Sequence, residues 1–301
     1  MKKQILIFSS VFLLFFFYPV FSTSSGQDPV FEGSIDIGAH CLFLSSRGNG
    51  SPPIVLDVGV GGTYHDWLPI LEELAKKTQV IAYDRAGYGR SEQGPFPRAC
   101  SRVAEELKML LDAAKIPGPY ILVGHSLGGL NLQIFALKYP DDTAGIVLLD
   151  PPPLDWILGD SFPGLKDMFQ REVRNLKIAA GAAENSEDQR EQIRSGYLLT
   201  LASEHEYLIN GASPLIKSCH NKSWGNTPLY VIASGRPNHQ FGDDAVRFQK
   251  YWNKQCRKLA SRSNHGHYYF APRSSHNLPL DDPKLVIHVL EKILSLIQKG
   301  A

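Results

Sequence analysis

The chain has 301 residues, enough for one large α/β domain, or for such a core carrying an insertion. Its formal net charge is only +1 and charged residues make up 20% of it. That balance gives no field to steer nucleic acid or a polyanion toward it, and neither like-charge blocks nor internal repeats divide it.

The N-terminus reads as a targeting segment. Met1-Lys2-Lys3 is a short basic start, Ile5 to Tyr18 is an apolar run, and Val20-Phe21-Ser22 places small residues where a signal peptidase reads. The run is short for a membrane span of ~20 residues. The expectation is a signal peptide over residues 1–22, cleaved near Ser22, and a secreted or periplasmic product without a stable membrane anchor. Residues Thr23 to Asp28 would form a polar leader. In an exported chain Cys41, Cys100, Cys219 and Cys256 can oxidise. Cys219 and Cys256 flank one predicted strand and its following helix, so a bridge between them and four buried thiols both fit, and the sequence does not decide between the two.

Strand and helix signals then alternate. Phe31 to Ile37 and His40 to Ser45 predict a hairpin, and Pro53 to Val58 a buried strand ending at Gly59. Asp66 to Lys77 is helical, with Trp67, Ile70, Leu71 and Leu74 on one face. A strand, Gln79 to Tyr83, leads into the turn-rich loop Asp84 to Ser91, and Cys100 to Lys115 is a helix. Tyr120 to Val123 is an apolar strand, Leu130 to Tyr139 a helix, and Gly145 to Leu149 a strand ending in Asp150. Pro151-Pro152-Pro153 stops that strand, because proline supplies no ladder donor.

Residues 151–227 break the alternation. They predict helices at Leu165 to Ile178 and Glu187 to Leu208, with an Ala/Gly-rich joint at Ala179 to Ala183. The alternation resumes with a strand, Pro228 to Ala233. A helix over Asp243 to Leu259, a strand over His265 to Phe270 and a closing helix over Pro283 to Gln298 follow. Strands alternating with helices imply a mostly parallel sheet covered on both faces. The helical insertion would lie over the carboxyl edge of that sheet, where ligands bind.

One junction carries chemistry. The strand Tyr120 to Val123 runs into Gly124-His-Ser-Leu-Gly-Gly129, and a helix follows at once. G-x-S-x-G alone arises by chance in roughly one chain of this length in ten, but a strand before it and a helix after it describe a nucleophile elbow. Ser126 would sit on the strained turn, and Gly124 and Gly128 would lack side chains because the backbone doubles back there.

Four stretches in this order resemble the α/β-hydrolase family: Asp57-Val-Gly-Val-Gly-Gly62, Tyr83-Asp-Arg-Ala-Gly-Tyr-Gly-Arg-Ser91, Gly124-His-Ser-Leu-Gly-Gly129 and Ser275-His-Asn-Leu-Pro-Leu-Asp-Asp-Pro283. The resemblance implies an eight-stranded, mostly parallel sheet with helices on both faces. Its core would be residues 31–150 and 228–299, with a helical lid, residues 151–227, inserted after strand six. It also implies a Ser-His-acid triad and an oxyanion hole. Ser126 is the expected nucleophile and His276, in a loop between the last strand and last helix, the expected base. His265 and His267 alternate along a strand, and no zinc motif stands beside them. His125 would fill space within the elbow. Asp84 and Arg85 would brace their loop.

The acid departs from the commonest family pattern. The strand ending at Ala233 runs into Ser234-Gly-Arg-Pro-Asn238, which has no carboxylate. Asp243 and Asp244 stand at a predicted helix start, where capping is the simpler role. Asp150, at the preceding strand end, is favoured. The oxyanion donors implied are the backbone N–H groups of Leu127 and Val60.

These residues point to an exported serine hydrolase of carboxylic esters, acting on a moderately apolar small molecule. Neither a cofactor nor nucleic acid is implied. An amidase, aminopeptidase, lactonase or acyltransferase on the same triad, or a ligand-binding protein that keeps the fold, are the alternatives.

Overall fold

The computed structural model describes residues 30–210 and 214–300; the expected signal peptide and its leader lie outside the described residues. Eight strands form one sheet: β1 (Val30–Asp36), β2 (Cys41–Arg47), β3 (Ile54–Asp57), β4 (Val80–Tyr83), β5 (Tyr120–His125), β6 (Thr143–Leu149), β7 (Leu229–Ser234) and β8 (Gly266–Ala271). Their order is β1-β2-β4-β3-β5-β6-β7-β8. Only β2 runs against its neighbours; every other pairing is parallel. This is the α/β-hydrolase fold.

The middle of the sheet is buried on both faces, so its strands are nearly continuous runs of Val, Ile and Leu. Successive residues serve opposite layers. Ile54, Leu56, Ile121 and Val123 join one apolar layer with Ile70, Leu74, Val286, Leu290 and Ile293. Val55, Leu122, Ile146 and Leu148 join the other with Leu107, Leu110, Phe135 and Phe248. Helices Leu68–Ala75 and Pro283–Gly300 therefore cover one face, and Cys100–Ala113, Leu127–Lys138 and Ala245–Ala260 the other.

Between β6 and β7 the chain forms helices Leu154–Leu158, Pro163–Glu184, Gln189–Asn210 and Pro214–Asn221. The expected joint at Ala179 to Ala183 is absent; helix Pro163–Glu184 runs straight through it. Alanine is the best helix former, and Gly181 faces open space, where its missing side chain costs no packing.

Of the two readings left open, the Cys219–Cys256 bridge does not form: all four thiols are free, and all but Cys41 are buried. Cys256 stands against the carbonyl of Pro151 at the exit of β6, whereas Cys219 belongs to the last helix of the insertion. Flanking a strand in sequence did not bring the two side chains together. Burial pushes the Cys219 thiol up to about 12.

Candidate active site

β5 ends at His125 and a helix starts at Leu127, so Ser126 alone makes the reversal. Its φ of 51° and ψ of −124° lie in a region that non-glycine residues seldom occupy. The elbow leaves no room beside it. A Cβ on Gly128 would stand 2.1 Å from the Asp57 carbonyl oxygen, and one on Gly124 would stand 2.5 Å from the Gly129 backbone. The Ser126 N–H donates to the Leu149 carbonyl at 2.9 Å, which ties the elbow to β6.

Asp150 follows directly on β6, buried and with φ of 48°. Its Oδ1 accepts from the Ser234 N–H at 3.0 Å, and its Oδ2 accepts from the Ser234 hydroxyl at 2.7 Å. The same Oδ2 lies 2.7 Å from His276 Nδ1, so the carboxylate fixes the imidazole with its proton on Nδ1 and Nε2 as an acceptor. The loop carrying His276 is pinned on both sides. Asp281 accepts from the Ser275 N–H at 2.6 Å, and the Trp252 ring meets the imidazole edge-on at 5.6 Å.

His125 does more than fill space. Its Nε2 donates to the His276 carbonyl at 2.7 Å and thereby joins elbow and histidine loop. Burial, and next the neighbouring His276, push its pKa down to about 3, so it stays neutral at physiological pH. Asp243 and Asp244 stand apart from this arrangement. Asp243 is exposed, and Asp244 pairs with Arg247 at 2.7 Å instead of capping its helix.

Ser126, Asp150 and His276 all line one cavity of about 290 Å³. Gly59 and Val60 form another part of its wall, and a Gly59 Cβ would come within 3.2 Å of the Ser126 Cβ. Leu127, the other expected oxyanion donor, is the first residue of the elbow helix. The insertion supplies Trp156, Met168, Phe169, Glu172, His205 and Leu208, and the segment after β7 supplies Arg236, Asn238, Gln240 and Phe241. An outer cleft of about 560 Å³ shares Val60, Arg236 and His276 with this cavity. Sequence reasoning missed His205 and Arg236 as wall residues. Each is a lone polar residue in a helix or loop, with no motif to mark it.

Behind the wall lies a buried ionic cluster that the expected brace at Arg85 only hinted at. Arg85 donates from Nη1 to Asp57 Oδ1 at 2.7 Å and to the Val58 carbonyl at 2.6 Å. Its Nη2 donates to the Gly59 carbonyl at 2.8 Å. Glu204, from the insertion, accepts from Arg85 Nε at 2.9 Å and from Nη2 at 3.1 Å, and from the Tyr88 hydroxyl at 2.9 Å. The two carboxylates hold the guanidinium well above its ordinary pKa against the effect of burial. Asp84 accepts from the Tyr64 and Arg90 N–H groups and so braces its own loop. Among the described residues no group of three or more His, Cys, Asp or Glu is arranged to hold a metal ion.

Comparison with known proteins agrees with this fold. The model of the alpha/beta hydrolase fold family matches residues 52–193. An uncharacterized protein of Bacillus subtilis, YqjL, is 29% identical over 82% of this chain and 85% of its own length. The human (Lyso)-N-acylphosphatidylethanolamine lipase is 31% identical over 36% of this chain, a match spanning 33% of the lipase. Among solved structures, a thermophilic esterase from Thermogutta terrifontis superposes with a TM-score of 0.65 at 21% identity, over 88% of this chain and 98% of that one. Sheet order, strand–turn–helix elbow and the family model over residues 52–193 together show the α/β-hydrolase fold.

Proposed function

We propose that the protein is an exported serine hydrolase that cleaves uncharged, moderately apolar carboxylic esters. One observation carries this reading: the 2.7 Å bond from His276 to Asp150 lies in the wall of the cavity that also takes in Ser126. His276 Nε2 takes the Ser126 proton as Oγ attacks the ester carbonyl, and the oxyanion rests on the N–H groups of Val60 and Leu127. The imidazolium then gives its proton to the departing alkoxide, which leaves as the alcohol. Water, deprotonated by the same imidazole, attacks the acyl-enzyme; the acid departs and the Ser126 hydroxyl is restored. Asp150 holds the tautomer and offsets the imidazolium charge. Trp156, Phe169, Leu208, Phe248 and Trp252 give the cavity an apolar wall suited to an acyl chain, with the insertion serving as lid.

A fluorophosphonate probe tests the chemistry. Purified protein is expected to take up one label, and Ser126→Ala none. A series of p-nitrophenyl esters from acetate to octanoate should give its highest kcat/KM at intermediate chain length. Folded protein that neither labels nor turns over any of these esters would overturn the proposal.

A further inference from the structure

The Arg85 cluster is built differently from an ion pair that only neutralises charge. Asp57 already supplies one carboxylate, yet Glu204 adds a second from 119 positions away. The remaining donors reach the carbonyls of Val58 and Gly59. The Gly59 carbonyl belongs to the same peptide unit as the Val60 N–H. In a trans peptide the two point in opposite directions, so gripping the oxygen fixes where the N–H points. A cation on that oxygen also polarises the unit and strengthens the N–H as a donor. The loop is held between the guanidinium on one side and Ser126 on the other. Stability alone is a weak reason for such a cluster, since buried ion pairs are often matched by apolar packing.

We propose that Arg85 is a positioning residue for the oxyanion donor at Val60, and that Glu204 is the counter-ion that aims it. Glu204 shares its helix with His205 and Leu208, which line the cavity. Seating of the insertion and readiness of the oxyanion hole are then one event. The inference rests on Ser126 being the nucleophile and extends that reading to how the hole is assembled.

Glu204→Gln tests it. The amide keeps one acceptor for Arg85 but turns a second donor against Nη2, so the fork opens while Asp57 still balances the cation. Active sites are counted with fluorophosphonate, kcat and KM are measured on p-nitrophenyl butyrate, and phenylboronic acid serves as probe of the hole. Ser126 Oγ adds to boron, its proton passes to His276, nothing leaves, and the tetrahedral anion occupies the oxyanion position. Per active site, kcat and boronate affinity should fall together by roughly tenfold, short of the ~10²–10³ for outright loss of a donor. KM should stay within about twofold, because ground-state binding is untouched. Glu204→Asp, which keeps the charge one methylene further back, should fall between, and it carries the test if the Gln variant does not fold. Folded variants with wild-type kcat and boronate affinity, whatever their melting temperature, would overturn the inference. A wild type that takes no label overturns the serine reading and this inference with it, and is told apart by that label.

Discussion

Asp150 holds three hydrogen bonds on one buried carboxylate, and only one of them goes to His276. Asp150→Asn should therefore keep the fold but present the wrong partner to the imidazole, lowering kcat by ~10⁴ with little change in KM. Ser234→Ala, which removes only the supporting hydroxyl, should cost far less; steady-state kinetics on one ester separates the two. His125 makes a prediction of opposite character. Its folded pKa of about 3 lies below the ordinary 6.5, so between those values the unfolded chain holds a proton that the folded one refuses. Stability attributable to His125 is whole above pH 6.5 and is lost as pH falls toward 3, by about 2 kcal/mol at pH 5. Urea midpoints at pH 7 and pH 5 should differ less in His125→Gln than in wild type; equal differences would disprove this. That Ser126 and His276 meet at one cavity was legible because each sits in a local motif, and that Asp150 joins them because the strand ending at Ser234 offers no carboxylate. Glu204 was not legible. Its role depends on a helix of the insertion meeting Arg85 across 119 positions, and no spacing in the sequence encodes that meeting.

At the scale of elements, two glycines should respond in opposite directions to the same added methyl. Gly128→Ala drives a Cβ into the Asp57 carbonyl, and because the clash is with backbone on both sides it should cost ~3 kcal/mol or more. Gly181→Ala meets nothing within 4 Å in helix Pro163–Glu184 and should stabilise by ~0.5–1 kcal/mol. Thermal melts of both variants decide it. The strands were readable because a parallel sheet covered on both faces demands runs such as Ile54–Asp57 and Leu229–Ser234. The break expected at Ala179 to Ala183 was misread because small residues signal a joint only where the backbone turns. Here they continue a helix whose neighbour approaches closely, with the Ser195 hydroxyl bonding the Ala180 carbonyl at 2.9 Å.

The whole molecule is two apolar layers on either side of one sheet, held without covalent bridges among the described residues. Native protein should expose only the partly accessible Cys41 to a thiol reagent, while denaturant should release all four thiols. Reductant should leave the melting temperature unchanged; a drop would mean that a bridge is present after all. The seat of the acid has a wider result. In the proposed reading Asp150, at the end of β6, is the acid, which leaves the stretch that follows β7 without a proton-handling duty; Arg236, Asn238 and Gln240 there border both the inner cavity and the outer cleft. Selection can reshape that doorway, exchanging its polar residues for others, while the relay behind it keeps working. Divergence in diet, with turnover conserved, is the evolutionary freedom this placement grants.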